Sequence, residues 1–218
     1  MKDKIIEYIK KNRVSTTEVA DCLNKSGLFE NAKALNRGKF AVGNVKWVYA
    51  YDESNWSVHE QIKNINSGDI VMIEAFNCKQ RATIGELVSK YILLYQNAAA
   101  IISNAKMRDG SRLIKENYPI WCSGLTPIGC FNKKNDRELD VDIYKKHFEK
   151  YDGSIAVCDD SGVVIIPKAY HNSEFLEKIM LIEEQEDIWF NCLDRLKWNT
   201  YDIVCLKKYK KGVDNSEN

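Results

Sequence analysis

Two short stretches carry side chains that could do chemistry together, Gly85-Glu86-Leu87 and Arg108-Asp109. The first stands where a loop enters a helix. The N–H groups of its opening turn lack partners inside the helix and carry partial positive charge, a setting that holds a carboxylate. The second follows a buried strand and sets a guanidinium fork, suited to bidentate carboxylate binding, beside a hard oxygen ligand suited to Mg²⁺. Taken alone, a Gly-Glu pair at a helix start is ordinary dipole compensation and an Arg-Asp pair is a local ion pair. Brought to adjoining strand ends, they would clamp an α-keto acid, with Arg108 and the helix amides on its carboxylate and a divalent ion on Asp109. A metal-assisted carbon–carbon lyase needs that arrangement, because the ion acts as a Lewis acid on the enolate formed as the bond breaks.

Apolar periodicity and turn residues predict the elements that must position these stretches. Ile5, Ile6 and Ile9 share one helical face, and Ser15-Thr16-Thr17-Glu18 has the form of a capping box, so two short helices open the chain, the second from Thr16 to about Lys25. The Val- and aromatic-rich FAVGNVKWVYAY suits a strand, Val58 to Ile65 a helix, and IVMIEAF a second strand. A polar loop, Asn77 to Thr83, leads to a helix from Gly85 to about Gln96. The buried strand AAAIIS, the charged loop Lys106 to Gly110, a short helix from Ser111 to Glu116 and the strand Pro119 to Cys122 follow. Strand, loop, helix and strand from Asp69 to Ser103 form a βαβ-like unit, which puts functional loops at the carboxyl ends of its strands. Residues 131–152 read as a charged surface excursion followed by an edge strand. SIAVCDDSGVVIIP reads as a hairpin, and a long helix runs from about Ser173 to Lys197 with Phe175, Ile179, Ile182 and Trp189 on its apolar side.

Composition sets the class. A chain of 218 residues with 44% hydrophobic content can bury one large core, here taken as residues 1–206 with a polar, frayed tail at 207–218. With 32 basic against 31 acidic side chains there is no overall field to draw in nucleic acid or an anionic membrane. Seven cysteines without a CxxC pair, and only three histidines, read as reduced thiols of a cytoplasmic protein. The N-terminus reads as an amphipathic helix rather than a signal peptide, and no stretch reaches membrane-span length. His59 reads as a helix-surface or interface residue, and His147 and His171 need no special role. Cys158 precedes Asp159 and Asp160, acids that disfavour a thiolate and serve the hairpin turn.

The run SGDIVMIEAF, RATIGELVSKY, AAAIISNAKMRDGSRL, YPIWCSGLTP and GSIAVCDDSGVVIIP, extended upstream through VSTTEVADCLNKSG, resembles the RraA-like family. That family includes the regulator of ribonuclease E activity A and the 4-hydroxy-4-methyl-2-oxoglutarate/4-carboxy-4-hydroxy-2-oxoadipate aldolases, and the likeness covers roughly Val14 to Glu186. The resemblance implies an α/β fold, an α/β/β/α sandwich of the swivelling phosphohistidine-domain type with N-terminal helices and a long C-terminal helix, assembled as a trimer or hexamer. It implies Asp109 as ligand of Mg²⁺ or Mn²⁺, Arg108 as substrate-binding arginine, Gly85 and Leu87 as amide donors, and Glu86 as the group managing a water or proton. A carboxylate from a neighbouring C-terminal helix completes the aldolase site, and Glu183 is the nearest match.

The chain departs from the family pattern in several places. Ser103-Asn104 stands where Asp-Gly is usual, Leu125 replaces a threonine and Ser154 an aspartate. The interval from Glu86 to Arg108 is one residue longer than usual. The function implied is a metal-dependent class II pyruvate aldolase or oxaloacetate-type decarboxylase acting on a small α-keto acid, with no nucleic-acid or membrane partner. The alternatives are a non-catalytic regulator or adaptor that binds a protein such as a ribonuclease, and a relative specialised for a sugar or keto-sugar acid.

Overall fold

The computed structural model describes residues 1–212. Helices α1 (Lys2–Asn12) and α2 (Thr16–Cys22) open the chain. The Ser15 hydroxyl accepts from the Glu18 N–H at 3.2 Å and the Glu18 carboxylate accepts from the Ser15 N–H at 2.6 Å, so the predicted capping box forms. Strands β1 (Lys33–Ala34) and β2 (Ala41–Tyr51) follow, then α3 (Trp56–Gln61), shorter than the periodicity predicted.

The middle of the chain repeats a pattern in which a strand of a large sheet leads at once into a short strand of a second sheet. Strand β3 (Ile70–Phe76) leads to β4 (Ala82–Ile84) and helix α4 (Glu86–Lys90). Next, β5 (Ala100–Ser103) leads to β6 (Lys106–Met107) and helix α5 (Gly110–Lys115). Finally, β7 (Ile120–Cys122) leads to β8 (Gly124–Leu125). The short strands form a parallel three-stranded sheet ordered β4-β6-β8. The polar loop and the charged loop expected before the two motifs therefore each contain a strand. At two or three residues, β4 and β6 are too short to show a period of two.

Helix α6 (Val141–Tyr151), the hairpin β9 (Ile155–Asp159) and β10 (Gly162–Ile166), and helix α7 (Ser173–Asp194) complete the fold. The large sheet has the order β1-β7-β5-β3-β2-β9-β10, with β7, β5, β3 and β2 parallel and the outer strands antiparallel. The chain is thus a mixed α/β protein. On β3, Val71 and Ile73 enter one buried cluster while Ile70 and Met72 enter another on the opposite face, which is why the strand reads as an unbroken apolar run. A third cluster joins α1, α2 and α7 to the hairpin through Ile5, Ile9, Val19, Phe175 and Ile179.

Two expectations are corrected. Residues 131–152 do not end in an edge strand, because the Asp140 carboxylate caps α6 by accepting from the Asp142 and Ile143 N–H groups. Tyr144 and Phe148, one turn apart, then lay their rings against Trp47 on β2. His147 on the same helix stands 2.8 Å from the buried carboxylate of Glu74, so it holds α6 to the sheet. The helix from Gly85 is also not uniform. It runs as α to Lys90 and then as a π turn, Tyr91–Tyr95, closed by the Gln96 N–H to the Tyr91 carbonyl at 3.0 Å. The π turn therefore holds one more residue than a regular α turn would, at the far end of α4 from the helix start.

The hairpin turn is as expected, and Asp159 does more than form it, accepting from the N–H of Ser161 at 2.7 Å and from the N–H and hydroxyl of Thr16 at 2.8 Å. Lys208–Gly212, expected to fray, forms a 3₁₀ turn tethered by the Gln185 amide to the Tyr209 hydroxyl, and the remaining tail lies outside the described residues. Among the described residues no helix is long and apolar enough to cross a membrane. All seven cysteines are free, and burial pushes the Cys158 thiol well up, away from reactivity.

Removing one half of the capping box tests how the N-terminal helices are held. Ser15→Ala is expected to lower unfolding free energy by about 1 kcal/mol in urea titration with an unchanged slope, and an unchanged midpoint would show that the cap contributes nothing.

Candidate functional site

Parallel pairing of β4 with β6, Ile84 beside Met107, sets Gly85 next to Arg108, and the Arg108 N–H donates to the Ile84 carbonyl at 3.1 Å. The two motifs are therefore neighbours because the short sheet exists. Asp109 follows in the left-handed region, φ 60°, which Asp tolerates better than most residues. It precedes α5 without capping it. Its carboxylate turns across to α4 instead, where Oδ2 accepts from the Glu86 N–H at 3.0 Å. One acid thus caps the helix of the neighbouring motif and complements its dipole.

The close approach depends on Gly85. A Cβ there would stand 2.2 Å from Asp109 Oδ2 and 2.7 Å from Arg108 Cγ. Its backbone is ordinary extended chain, φ −140°, so space rather than conformation requires glycine. Arg108 also lies over Gly129, where a Cβ would come within 3.0 Å of its Nη1. The guanidinium stays half exposed, with Nε 3.8 Å from Asp109 Oδ2, leaving the fork open to a ligand.

The remaining predicted residues divide. Glu86 turns its carboxylate toward α5, 3.9 Å from Arg112 Nη1. Its N–H is taken by Asp109, so of the amides assigned to a substrate carboxylate this one is already engaged. Leu87 is 81% exposed at the rim. Glu183 lines no part of the site in its own subunit. It lies on α7 and accepts from the Tyr8 hydroxyl at 2.6 Å, an interaction that pushes the Tyr8 pKa up to about 12.

Gly85, Leu87, Arg108 and Asp109 line one small pocket of about 100 Å³. Its other walls come from Asn55, His59, Thr83, Gly129, Cys130 and Asn132. His59, read as a surface residue, is exposed and borders the pocket. The Cys130 thiol is shifted down, chiefly by a hydrogen bond with Cys78 and then by the Arg81 charge. Asn55 gave no sequence signal beyond preceding a short helix, and it does not cap that helix. Its side-chain N–H donates to the Thr83 carbonyl at 2.9 Å.

A divalent ion fits this donor set in one way. Asp109 offers its second carboxylate oxygen at a half-exposed side chain, and Mg²⁺ is commonly held by one or two carboxylates with water and substrate oxygens filling the rest. No group of three or more His, Cys, Asp or Glu side chains able to hold a metal occurs among the described residues, so no all-protein cage is present.

A family model described as RraA-like, Aldolase/RraA, matches residues 16–165, more than half the chain. The chain belongs to the RraA-like family. A relative from Halalkalibacterium halodurans, named "Putative 4-hydroxy-4-methyl-2-oxoglutarate aldolase", is 28% identical over 165 residues, covering 75% of this chain and 78% of that protein. Among solved structures, an uncharacterized protein from Pseudomonas syringae pv. tomato superposes with a TM-score of 0.71 at 17% identity, covering 89% of this chain and 90% of that one. Streptomyces coelicolor RraAS2, described as an unusual member of the RNase ES inhibitor RraA protein family, superposes with a TM-score of 0.67 at 20% identity, covering 85% and 96%. The RraA-like family thus spans proteins named for aldol cleavage and proteins named for ribonuclease inhibition, and the structural likenesses establish the shared fold.

The Gly85 contact gives a sharp test of this geometry. Gly85→Ala must displace Asp109 or Arg108, and is expected to cost about 1–3 kcal/mol of stability and to speed hydrogen exchange at the Glu86 amide. A variant as stable and as protected as the parent would contradict the close approach.

Proposed function

We propose that the chain is a divalent-metal-dependent carbon–carbon lyase acting on a small α-keto acid, of the class II pyruvate aldolase or oxaloacetate-type decarboxylase kind. The observation that carries this reading is the convergence of Arg108, Asp109 and the start of α4 on one pocket, with Asp109 bonded to the Glu86 N–H at 3.0 Å.

Arg108 presents parallel N–H donors to the substrate carboxylate, and its support on Gly129 aims them toward the pocket. Binding there fixes the keto group beside Asp109, so orientation is settled before any bond changes. Asp109, through the oxygen not engaged by Glu86, would hold Mg²⁺ or Mn²⁺ together with substrate oxygens. Such an ion, when bound, supplies Lewis-acid polarisation of the keto group. The Glu86 carboxylate faces Arg112 rather than the pocket, and it would have to turn inward to take up or return a proton through water. Gly85 keeps the floor clear for these groups, while Leu87 covers the rim.

The same reading takes the layers as the swivelling phosphohistidine-domain type and the protein as a trimer or hexamer. Support for self-association is the apolar surface beginning at the site, where Leu87, Leu94 and Tyr95 are more than half exposed. Glu183 would complete a site only from a second copy, by giving up Tyr8. A second reading, a regulator or adaptor that binds a protein such as a ribonuclease, draws on the same exposed surface and on the likeness to RraAS2.

Proton exchange at C3 of pyruvate in D₂O isolates the step common to aldolase and decarboxylase chemistry. The protein with Mg²⁺ or Mn²⁺ is expected to exchange these protons by NMR, to stop in EDTA, and to slow by about a hundredfold or more in Arg108→Met and in Asp109→Asn. Exchange that survives EDTA, or full activity in Asp109→Asn, sinks the mechanism. No exchange in the parent protein favours the adaptor.

A further inference from the structure

The pocket lined by Arg108 and Asp109 is small for a whole substrate. Its volume of about 100 Å³ corresponds to roughly three water molecules at about 30 Å³ each, room for a carboxylate and a keto group and little more. Whatever a ligand carries beyond its keto group must leave through the rim. Three residues of that rim, His59, Leu87 and Val88, also line a second cavity of about 360 Å³. The second cavity therefore begins where the first ends.

Helical spacing builds it. His59 and Ile62, three apart at the end of α3, share one face, and Leu87 and Tyr91, four apart on the helix from Gly85, share another. Between the two faces runs a groove bounded by Ile62, Leu87, Val88 and Tyr91. Ile62 is 3% exposed and Val88 9%, so they close its floor, while Leu87 and Tyr91 stand open as its wall. Two contacts hold the Tyr91 side chain. Its hydroxyl accepts from the Gln96 side-chain N–H at 2.7 Å, and its ring stacks on that of Tyr95 with centroids 6.5 Å apart. A wall already fixed in this way leaves a ligand little ordering to impose. Leu94 and Tyr95 follow along the π turn outside the groove and remain available to a second copy of the chain.

The lining also selects the chemistry of the occupant. A carboxylate drawn over Ile62 and Val88 would lose water with no donor on either side chain, whereas an aliphatic or aromatic group gains from the same contact. Lys63 at the edge is exposed, so its stem can extend the apolar wall with the ammonium in water.

We propose that this groove takes the apolar tail of an α-keto acid whose carboxylate sits on Arg108, so that the substrate is a monocarboxylic keto acid with an aliphatic or aromatic group beyond the keto carbon. This rests on the reading of Arg108 as the carboxylate anchor. It adds a specificity determinant that the two charged motifs do not contain, and it departs from the dicarboxylic compound in the name of the Halalkalibacterium halodurans relative.

The probes 4-methyl-2-oxopentanoate and 2-oxoglutarate have main chains of equal length and differ in ending on methyl groups or on a carboxylate. NMR titration of the full chain in Mg²⁺ is expected to show the branched acid binding about tenfold more tightly than pyruvate, and 2-oxoglutarate no more tightly than pyruvate. Tyr91→Ser is expected to bring the branched acid to within about twofold of pyruvate while leaving the dissociation constant of pyruvate itself unchanged, and Lys63→Met to keep the preference. An unchanged preference in Tyr91→Ser overturns the proposal. Tighter binding of 2-oxoglutarate that is lost in Lys63→Met overturns it too, by assigning the groove to a second carboxylate. Equal binding of the branched acid and pyruvate by the parent protein overturns the groove while leaving the Arg108 anchor standing, and a lower sedimentation coefficient of Tyr91→Ser would then identify a second copy as the occupant. Failure of pyruvate and the branched acid alike to bind overturns the anchor and the groove with it. Preference for the branched acid in a protein that does not exchange pyruvate protons supports the groove and removes only the lyase.

Discussion

The bond from the Glu86 N–H to the Asp109 carboxylate organises the rest of the site. It satisfies one of the amides that a helix start leaves unpaired, and it ties Asp109, which sits in the left-handed region, to the start of α4. With Asp109 turned toward α4, α5 is left without its own side-chain cap, and Arg108 extends over Gly129 into the pocket. The arrangement has little slack. Glycine at position 85 is demanded by the carboxylate that passes within contact distance of where a side chain would begin. The acid that the proposed chemistry would use is thus also a structural tie between two helices.

That tie is possible because a large-sheet strand passes into a small-sheet strand and then into a helix twice over, with β7 and β8 repeating the first two steps. Parallel pairing of β4 with β6 aligns the two helix starts side by side rather than leaving them on separate loops. The residues at the crossing between sheets serve the same end. The Ser103 hydroxyl donates to the Ile73 carbonyl at 2.8 Å and accepts from the Ala105 N–H at 3.1 Å, while the Asn104 oxygen accepts from the Ala75 N–H at 2.8 Å. The departure from the family pattern at Ser103-Asn104 therefore falls where β5 leaves one sheet for the other, satisfying backbone groups that the turn would strand. The π turn Tyr91–Tyr95 likewise lies at the far end of α4 from the helix start that Asp109 caps.

What the sequence reveals depends on how locally each feature is encoded. The capping box at Ser15, the apolar run of β3 and the Asp159-to-Gly162 hairpin are each specified by a few adjacent residues, and each is present. Helix α6 is not legible in the sequence because its charged residues outnumber the aromatic stripe of Tyr144, Phe148 and Tyr151, which becomes meaningful only with Trp47 opposite. The short strands carry no periodic signal, so the sequence implies that the two motifs meet but not the path by which they do. Asn55 and Thr83 could not be found from sequence at all. They are ordinary polar residues, and only the fold brings them beside the pocket lined by Arg108 and Asp109.

The central claim is that Arg108, Asp109 and the start of α4 constitute one keto-acid site. Backbone amide shifts in an NMR titration with pyruvate and Mg²⁺ report on each of these groups at once. Saturable shifts are predicted at Glu86, Leu87, Arg108 and Asp109 with a single dissociation constant, and are predicted to vanish in Arg108→Met. Shifts confined to one motif, different dissociation constants for the two motifs, or a full response in Arg108→Met would contradict a shared site.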